Sequence, residues 1–301
     1  MSDRPLLLHS LSEFSSLIFP SLEAAGARRI LEIGSEAGTF TRELCDWAAE
    51  RGGSVTAIEP IPLDAHRILQ RDHGLRLIEG KSPQALAEAG SFDAYFIDGD
   101  HNHHCVSAEL RHAFGGGGHP IAFLHDVAWP CARRDQYYEP DDIPAERRRP
   151  FSYDGGVEPG NPGLVRGGGF RGENAFAYAT EEGGPGNGVL TAVEDLLAAR
   201  DDLELLRVPV IFGLGAVFPR AAPWAGEVRA ILGPFHEHPL LERLEDNRID
   251  LFLRLIDPHR FHAGLDQVGR ELLAAQQREI EALHGELSRL RLEHAQAPAA
   301  S

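Results

Sequence analysis

The chain is short of cysteine, of lysine and of long apolar runs, and each shortage excludes something. Its three cysteines, Cys45, Cys105 and Cys131, show no paired spacing, so there is neither a disulfide framework nor a CxxC redox or metal motif. Lys81 is the only lysine among 29 basic residues, a bias that reflects genome composition. Acidic residues number 46, for a formal net charge of −17. That charge argues against a phosphate backbone as partner and suits a neutral or cationic small molecule. No stretch approaches the roughly 18 apolar residues of a membrane span. The opening MSDRPLLLHSLSEF has no basic region followed by a long apolar one. The expectation is a cytoplasmic protein without nucleic-acid or membrane partners. With 43% hydrophobic residues in a chain of 301, a full core can form.

What is present is an alternation of two periods. Residues 10–26 read as one or two short helices covering an edge. Buried-type strands follow at 28–34, 54–60, 75–80, 92–99 and 120–126, separated by helical stretches such as TFTRELCDWAAERG and HHCVSAELRHAF. Five strands alternating with helices imply βαβ units and a parallel sheet covered on both faces. After a helix at 189–200, two apolar runs at 203–219 are too close for a crossover and can only pair antiparallel. The fold expected is a doubly wound, mostly parallel Rossmann-like sheet of the α/β class, closed by one antiparallel strand.

Residues 127–188 interrupt this pattern with dense Gly, Pro, Arg and Tyr. So long a connection at the carboxyl edge of the sheet reads as a lid or substrate insert, or else as a floppy surface insertion. The organisation expected is a helical segment at 1–27, a main domain at 28–220 containing the insert, and a helical region at 221–301. In the last of these, Leu273, Ile280, Leu283, Leu287 and Leu290 recur at three- and four-residue steps. The stretch 268–294 is either a dimerisation helix, giving a homodimer, or a helix packed on its own domain.

The segment LEIGSEAGTFT, 31–41, sets Glu32, Gly34 and Gly38 at a strand-to-helix junction. Glycines there let the backbone approach a ligand in front of a helix N-terminus. GSEAG is not the GxGxxG of dinucleotide enzymes, and Glu36 is poorly placed for a pyrophosphate. Glu59, at the tip of the second strand, can take a ribose diol. IEGKS at the end of the third could clasp an adenine edge. Together with FDAYFIDGDH on the fourth strand, these motifs resemble the class I S-adenosylmethionine-dependent methyltransferases over residues 28–126. The resemblance implies a seven-stranded sheet. It also implies that Glu32, Gly34, Ser35 and Gly38 hold the methionyl part, Glu59 the ribose, and Gly80, Lys81 and Ser82 the adenine, with Asp98 near the methionyl amine.

Asp98 and Asp126 end strands four and five. Neighbouring strands lie roughly 5 Å apart, so the two carboxylates converge and need a proton or a cation between them. A hard divalent ion fits carboxylates, water and a substrate hydroxyl. His101, three residues beyond Asp98, could take the hydroxyl proton. This arrangement is similar to that of the metal-assisted small-molecule O-methyltransferases, such as those acting on catechols and natural-product sugars. It implies Mg²⁺ or Mn²⁺ at Asp98, Asp126 and His125, with Asp98 and His101 as catalytic residues. His125 departs from the acid or amide common there and shifts the preference toward Mn²⁺, Fe²⁺ or Zn²⁺. Asp100 is expected to cap the following helix. Trp129, Arg133, Arg134, Tyr137 and Tyr138 form either a stacking wall with anion clamps or a small satellite core. The activity expected is O-methylation of a small molecule. Metal-free N- or carboxyl methylation, and a non-catalytic cofactor-binding dimer, are the alternatives.

Overall fold

The computed structural model describes residues 5–296. It divides into two units, Met1–Asp250 and Leu251–Ser301. In the first, strands β1 (Arg29–Ile33), β2 (Ser54–Glu59), β3 (Arg76–Glu79), β4 (Ala94–Ile97) and β5 (Ile121–Leu124) run parallel. With β11 (Leu203–Val208) and β12 (Leu214–Pro219) they form a seven-stranded sheet ordered β11-β12-β5-β4-β1-β2-β3. Strand β12 is the reversed one, antiparallel to both neighbours. The turn between β11 and β12 is Val210–Gly213, and Gly215 sits within β12 opposite Leu124.

Side-chain alternation builds a core on each face. On β4, Phe96 packs with Phe14, Ile18, Phe40 and Leu44, the side carrying α1 (Ser15–Ala24) and α2 (Thr39–Ala49). Ile97, one residue on, packs with Leu31, Val106 and Leu110, under α5 (His103–Phe114). Residues i and i+1 of a strand face opposite ways, so a chain buried on both faces reads as the near-continuous apolar run seen in the sequence. Parallel register sets Ile33 beside Ile97 and Ile97 beside Leu124. The residues that follow, Gly34, Asp98 and His125, therefore emerge side by side at the carboxyl edge.

The insert after β5 is folded. Short strands β6 (Gln136–Tyr137), β7 (Phe151–Ser152) and β10 (Ala177–Ala179) form one small sheet, and β8 (Gly155–Gly156) with β9 (Val165–Arg166) another. Arg134, 1% exposed, anchors it by donating to the carbonyls of Ala179 and Pro162 at 2.7 Å each and Gly163 at 3.2 Å. Asp135 accepts from His103 N, Gly188 N and Tyr137 Oη at 2.7–2.8 Å, which ties the insert to the start of α5. Arg133 pairs with Glu194. Tyr137 packs in a small buried cluster with Ile143 and Ala179, the satellite core of the two alternatives. Arg134 is buried with its guanidinium spent on carbonyls, and Arg133 is engaged at the surface by Glu194 and Thr191.

The second unit continues helix α8, Pro239–Gln296. Leu273, Ile280 and Leu283 are exposed along it; the side chains of Leu287 and Leu290 lie outside the described residues. No described helix is long and apolar enough to cross a membrane.

Candidate active site

A cavity of about 400 Å³ opens along the carboxyl ends of β1, β2 and β3 and reaches Asp98. Gly34, at φ +81°, makes the approach possible: a Cβ there would lie 2.2 Å from the Asp98 carbonyl oxygen, so no other residue fits. Glu59 lines the cavity with both oxygens engaged. Oε2 accepts from Ser35 N at 3.0 Å and Ser35 Oγ at 3.2 Å, and Oε1 from Ile61 N at 3.0 Å. Behind it, Leu63 N donates to His66 Nδ1 at 3.0 Å. The proton of a neutral ring is thus on Nε2, which donates to Ser35 Oγ at 2.9 Å. A directed chain from His66 through Ser35 fixes Glu59. Nothing in the sequence marked His66, an unremarkable histidine on α3 (Asp64–Asp72).

Gly80, Lys81 and Ser82 also line the cavity. Lys81 Nζ bridges to Glu139 at 2.7 Å and Asp142 at 2.5 Å, so the insert closes over this end. Ser82 Oγ donates to Glu109 Oε1 at 2.6 Å, and burial pushes the Glu109 carboxyl up to about 7. Asp100 faces the cavity too, pushed up by burial to about 6. It does not cap α5: Asn102 does, accepting from Cys105 N at 3.0 Å. The expected cap was one residue pair too early, because Asp100 instead accepts from Tyr138 N. Glu32, Ser35 and Gly38 stand behind the lining. Glu32 is 2% exposed, with Oε2 unpartnered, and burial, reinforced by Asp98 and Glu59, raises its carboxyl to about 8.

Asp98, in the wall of this cavity, meets His101, His125 and Asp126. His125 Nδ1 lies 3.1 Å from Asp126 Oδ2 and 3.3 Å from Asp98 Oδ1. His101 Nε2 is 3.4 Å from Asp98 Oδ1, and its Nδ1 is 3.5 Å from Asp126 Oδ2. The other nitrogen of His125 sits 2.8 Å from the Ile211 carbonyl. A carbonyl only accepts, so Nε2 carries the hydrogen, and in a neutral ring the Nδ1 lone pair points at two carboxylates. Burial opposes charge on every member. Even so, the facing carboxylates hold both imidazoles well above their ordinary value, and the imidazoles hold both carboxyls down. Asp126 also occupies left-handed backbone at φ +59°, unusual outside glycine and found where a site dictates conformation.

The donor atoms of Asp98, His125 and Asp126 lie within 4.8 Å of one another, and so do those of His101, Asp126 and Cys131. Cys131, buried beside Gln136, carried no signal in the sequence. Of the aromatics flagged after β5, Tyr138 lines the cavity, with its ring 6.2 Å from His101. His104 lines it as well, whereas His103 turns to Asp195 at 2.8 Å.

Residues 31–115 match a family model described as a methyltransferase domain. No curated protein matches the chain. Among solved structures, it is similar to a putative O-methyltransferase from Klebsiella pneumoniae, 20% identical over 70% of this chain and 82% of that one, with a TM-score of 0.42. The O-methyltransferase from Bacillus cereus in complex with SAH is 17% identical over 71% and 84%, also at 0.42. A putative caffeoyl-CoA O-methyltransferase from Staphylococcus aureus is 14% identical over 73% and 85%, again at 0.42. The family match runs from β1 through α5, which carry most of the cavity's lining; Tyr138, Glu139, Asp142 and Ile143 of the insert supply the rest. The matched residues lie in the doubly wound α/β sheet with its seven-strand order and reversed β12, and over them the chain is similar to a methyltransferase domain.

Proposed function

We propose that the enzyme methylates a hydroxyl of a small molecule, a glycoside or secondary-metabolite intermediate, with a divalent ion held by Asp98, His125 and Asp126. The observation that carries this is the convergence of two carboxylates and an imidazole lone pair on one point beside the cavity. With the ring neutral these are three acceptors facing one another, an arrangement that calls for a cation. The carbonyl behind His125 is the kind of partner that orients a ligating imidazole. A mixed oxygen and nitrogen donor set accepts Mn²⁺ or another first-row ion more readily than Mg²⁺.

The cavity suits the cofactor as well. Gly34 lets the loops after β1 and β4 pack closely at its edge, and Glu36, Glu59, Asp98 and Asp100 give it an acidic wall for a cationic ligand. When bound, S-adenosylmethionine supplies an electrophilic methyl on a sulfonium, and a divalent ion would lower the pKa of the accepting hydroxyl. The chain's own residues supply position. Glu59, locked by Ser35 and His66, presents remaining lone pairs to a diol. Asp98, shared by the cavity and the cluster, sets the distance between donor and acceptor. His101 accepts the hydroxyl proton only when Asp98 and Asp126 have their charge engaged elsewhere, because two unengaged carboxylates keep the ring protonated.

One observation favours a metal-free reading. Two protonated imidazoles would balance the two carboxylates without an ion, which moves N- or carboxyl methylation forward. Calorimetric titration of adenosylhomocysteine and then Mn²⁺ into chelator-treated protein separates the two. Asp126→Asn keeps a residue that tolerates left-handed backbone and removes one charge. A Mn²⁺ heat in the wild type that is lost in Asp126→Asn, with adenosylhomocysteine binding kept in both, is the expected result. Adenosylhomocysteine binding without any Mn²⁺ heat would sink the metal assignment.

A further inference from the structure

The β11–β12 hairpin has the wrong residues in its turn. The five-residue connection 209–213 between Val208 and Leu214 contains a β-turn with φ above zero at both central positions, a conformation that takes Asn-Gly or Asp-Gly because a Cβ crowds the backbone there. Ile211 and Phe212 hold those positions at φ +53° and +61°, closed by Gly213 N donating to the Val210 carbonyl at 2.9 Å. A β-branched residue in that region is a genuine outlier, and such strain persists only where the surroundings over-determine it.

The surroundings are explicit. The Ile211 carbonyl receives His125 Nε2 at 2.8 Å. The Phe212 carbonyl receives Ala128 N at 2.7 Å, and Phe212 N donates to Glu245 Oε1 at 3.0 Å. Glu245 is buried on α8. Arg248 grips it with two bonds, Nε to Oε2 at 2.7 Å and Nη2 to Oε1 at 2.6 Å. The same guanidinium donates to the Leu8 carbonyl at 3.0 Å and lies 5.1 Å over the Phe212 ring.

We propose that Glu245 and Arg248 are positioning residues for the active site: they hold the strained turn so that the Ile211 carbonyl keeps His125 Nδ1 directed at Asp98 and Asp126. The relay runs from Arg248 through Glu245 and the turn to the imidazole, and every link is a hydrogen bond or a covalent neighbour. It explains why an apolar pair occupies a turn that Asn-Gly would form without strain. The Phe212 ring packs edge-on to His125 at 6.4 Å and stacks on Phe170 at 5.9 Å, so glycine there would leave the imidazole without its wall. The consequence for ion binding rests on His125 being a ligand, as proposed above.

The test uses the full chain with ¹⁵N-labelled histidine and follows the His125 Nε2 proton by NMR, assigned with His125→Asn. In the wild type that proton is protected from solvent exchange. Glu245→Ala and Arg248→Met lose the protection. Glu245→Gln, which keeps an acceptor for Phe212 N, retains it. Mn²⁺ affinity, read by electron paramagnetic resonance, falls about tenfold to a hundredfold in the first two, while adenosylhomocysteine affinity stays at the wild-type level. Unchanged protection in both Glu245→Ala and Arg248→Met overturns the proposal. A wild-type chain that binds no Mn²⁺, with protection still lost in the variants, removes the ion from the earlier reading and leaves the positioning role standing. If Glu245→Ala does not fold, Arg248→Met and Glu245→Gln decide alone.

Discussion

Replacing Glu32 with glutamine should stabilise the ligand-free protein above neutral pH and do so less as the pH falls. Glu32 is buried with one oxygen unpartnered, and burial lifts its carboxyl from 4.5 to about 8. In that window the unfolded chain has released a proton that the folded chain still binds. The contribution of Glu32 is therefore fully present below pH 4.5 and is lost as the pH rises through about 8. Each pH unit removes about 1.4 kcal/mol, an upper bound of about 5 kcal/mol across the window. Relaxation and water entry reduce such figures, and about 2 kcal/mol or more should remain. Glutamine has the same shape and no charge to desolvate. Urea unfolding of wild type and Glu32→Gln, at about pH 5 and about pH 8.5, reads the difference directly from midpoints at constant slope. The gap between the two proteins should widen by about 2 kcal/mol or more toward the alkaline end. Parallel curves would refute the argument and show that Glu32 is solvated or already paired.

Two further changes probe the site's frame. Gly34→Ala would put a methyl 2.2 Å from the Asp98 carbonyl oxygen at φ +81°; it should displace the start of the β4 loop, abolish adenosylhomocysteine binding and cost about 3 kcal/mol or more in urea unfolding. Arg134→Met strands the carbonyls of Ala179, Pro162 and Gly163; limited proteolysis should then cut within 150–185 much faster while the sheet's circular dichroism stays, at a cost of about 3 kcal/mol.

The sheet was legible in the sequence because its cause is local and periodic. Apolar runs at 28–34, 92–99 and 120–126 are what a strand buried on both faces must look like, and short spacing at 203–219 forces the reversed strand. The candidate site was legible in part for the same reason. Once Ile33, Ile97 and Leu124 are in register, Gly34, Asp98, His125 and Asp126 have nowhere else to emerge. What escaped were partners set by distance in space. Nothing near His66 announces that it will hold Ser35 and Glu59, since Ser35 lies 31 residues away. Arg134 follows Arg133 in a loop dense with arginine, and only the folded insert shows that one is buried among carbonyls and the other paired at the surface. Asp100 and Asn102 are both good helix caps, and the choice between them was made by Tyr138, on a different element.

The Ile211–Phe212 turn marks the boundary of that legibility. A pattern of residues states local preference, and here the preference is violated: an apolar, β-branched pair suits a strand and opposes left-handed backbone. Sequence alone therefore favours running β11 or β12 through these positions. The structure turns there because four groups outside the hairpin, His125, Ala128, Glu245 and Arg248, take its carbonyls, its amide and its ring. A fold in which every local choice agrees needs no such support. Where local preference is overruled, something else set the geometry. Seven described non-glycine residues take positive φ, and three of them, Asp126 at +59° and the 211–212 pair, stand next to His125. That three of them gather at one imidazole, with the 211–212 pair serving no need of the hairpin itself, is the physical reason to look for the chain's chemistry there.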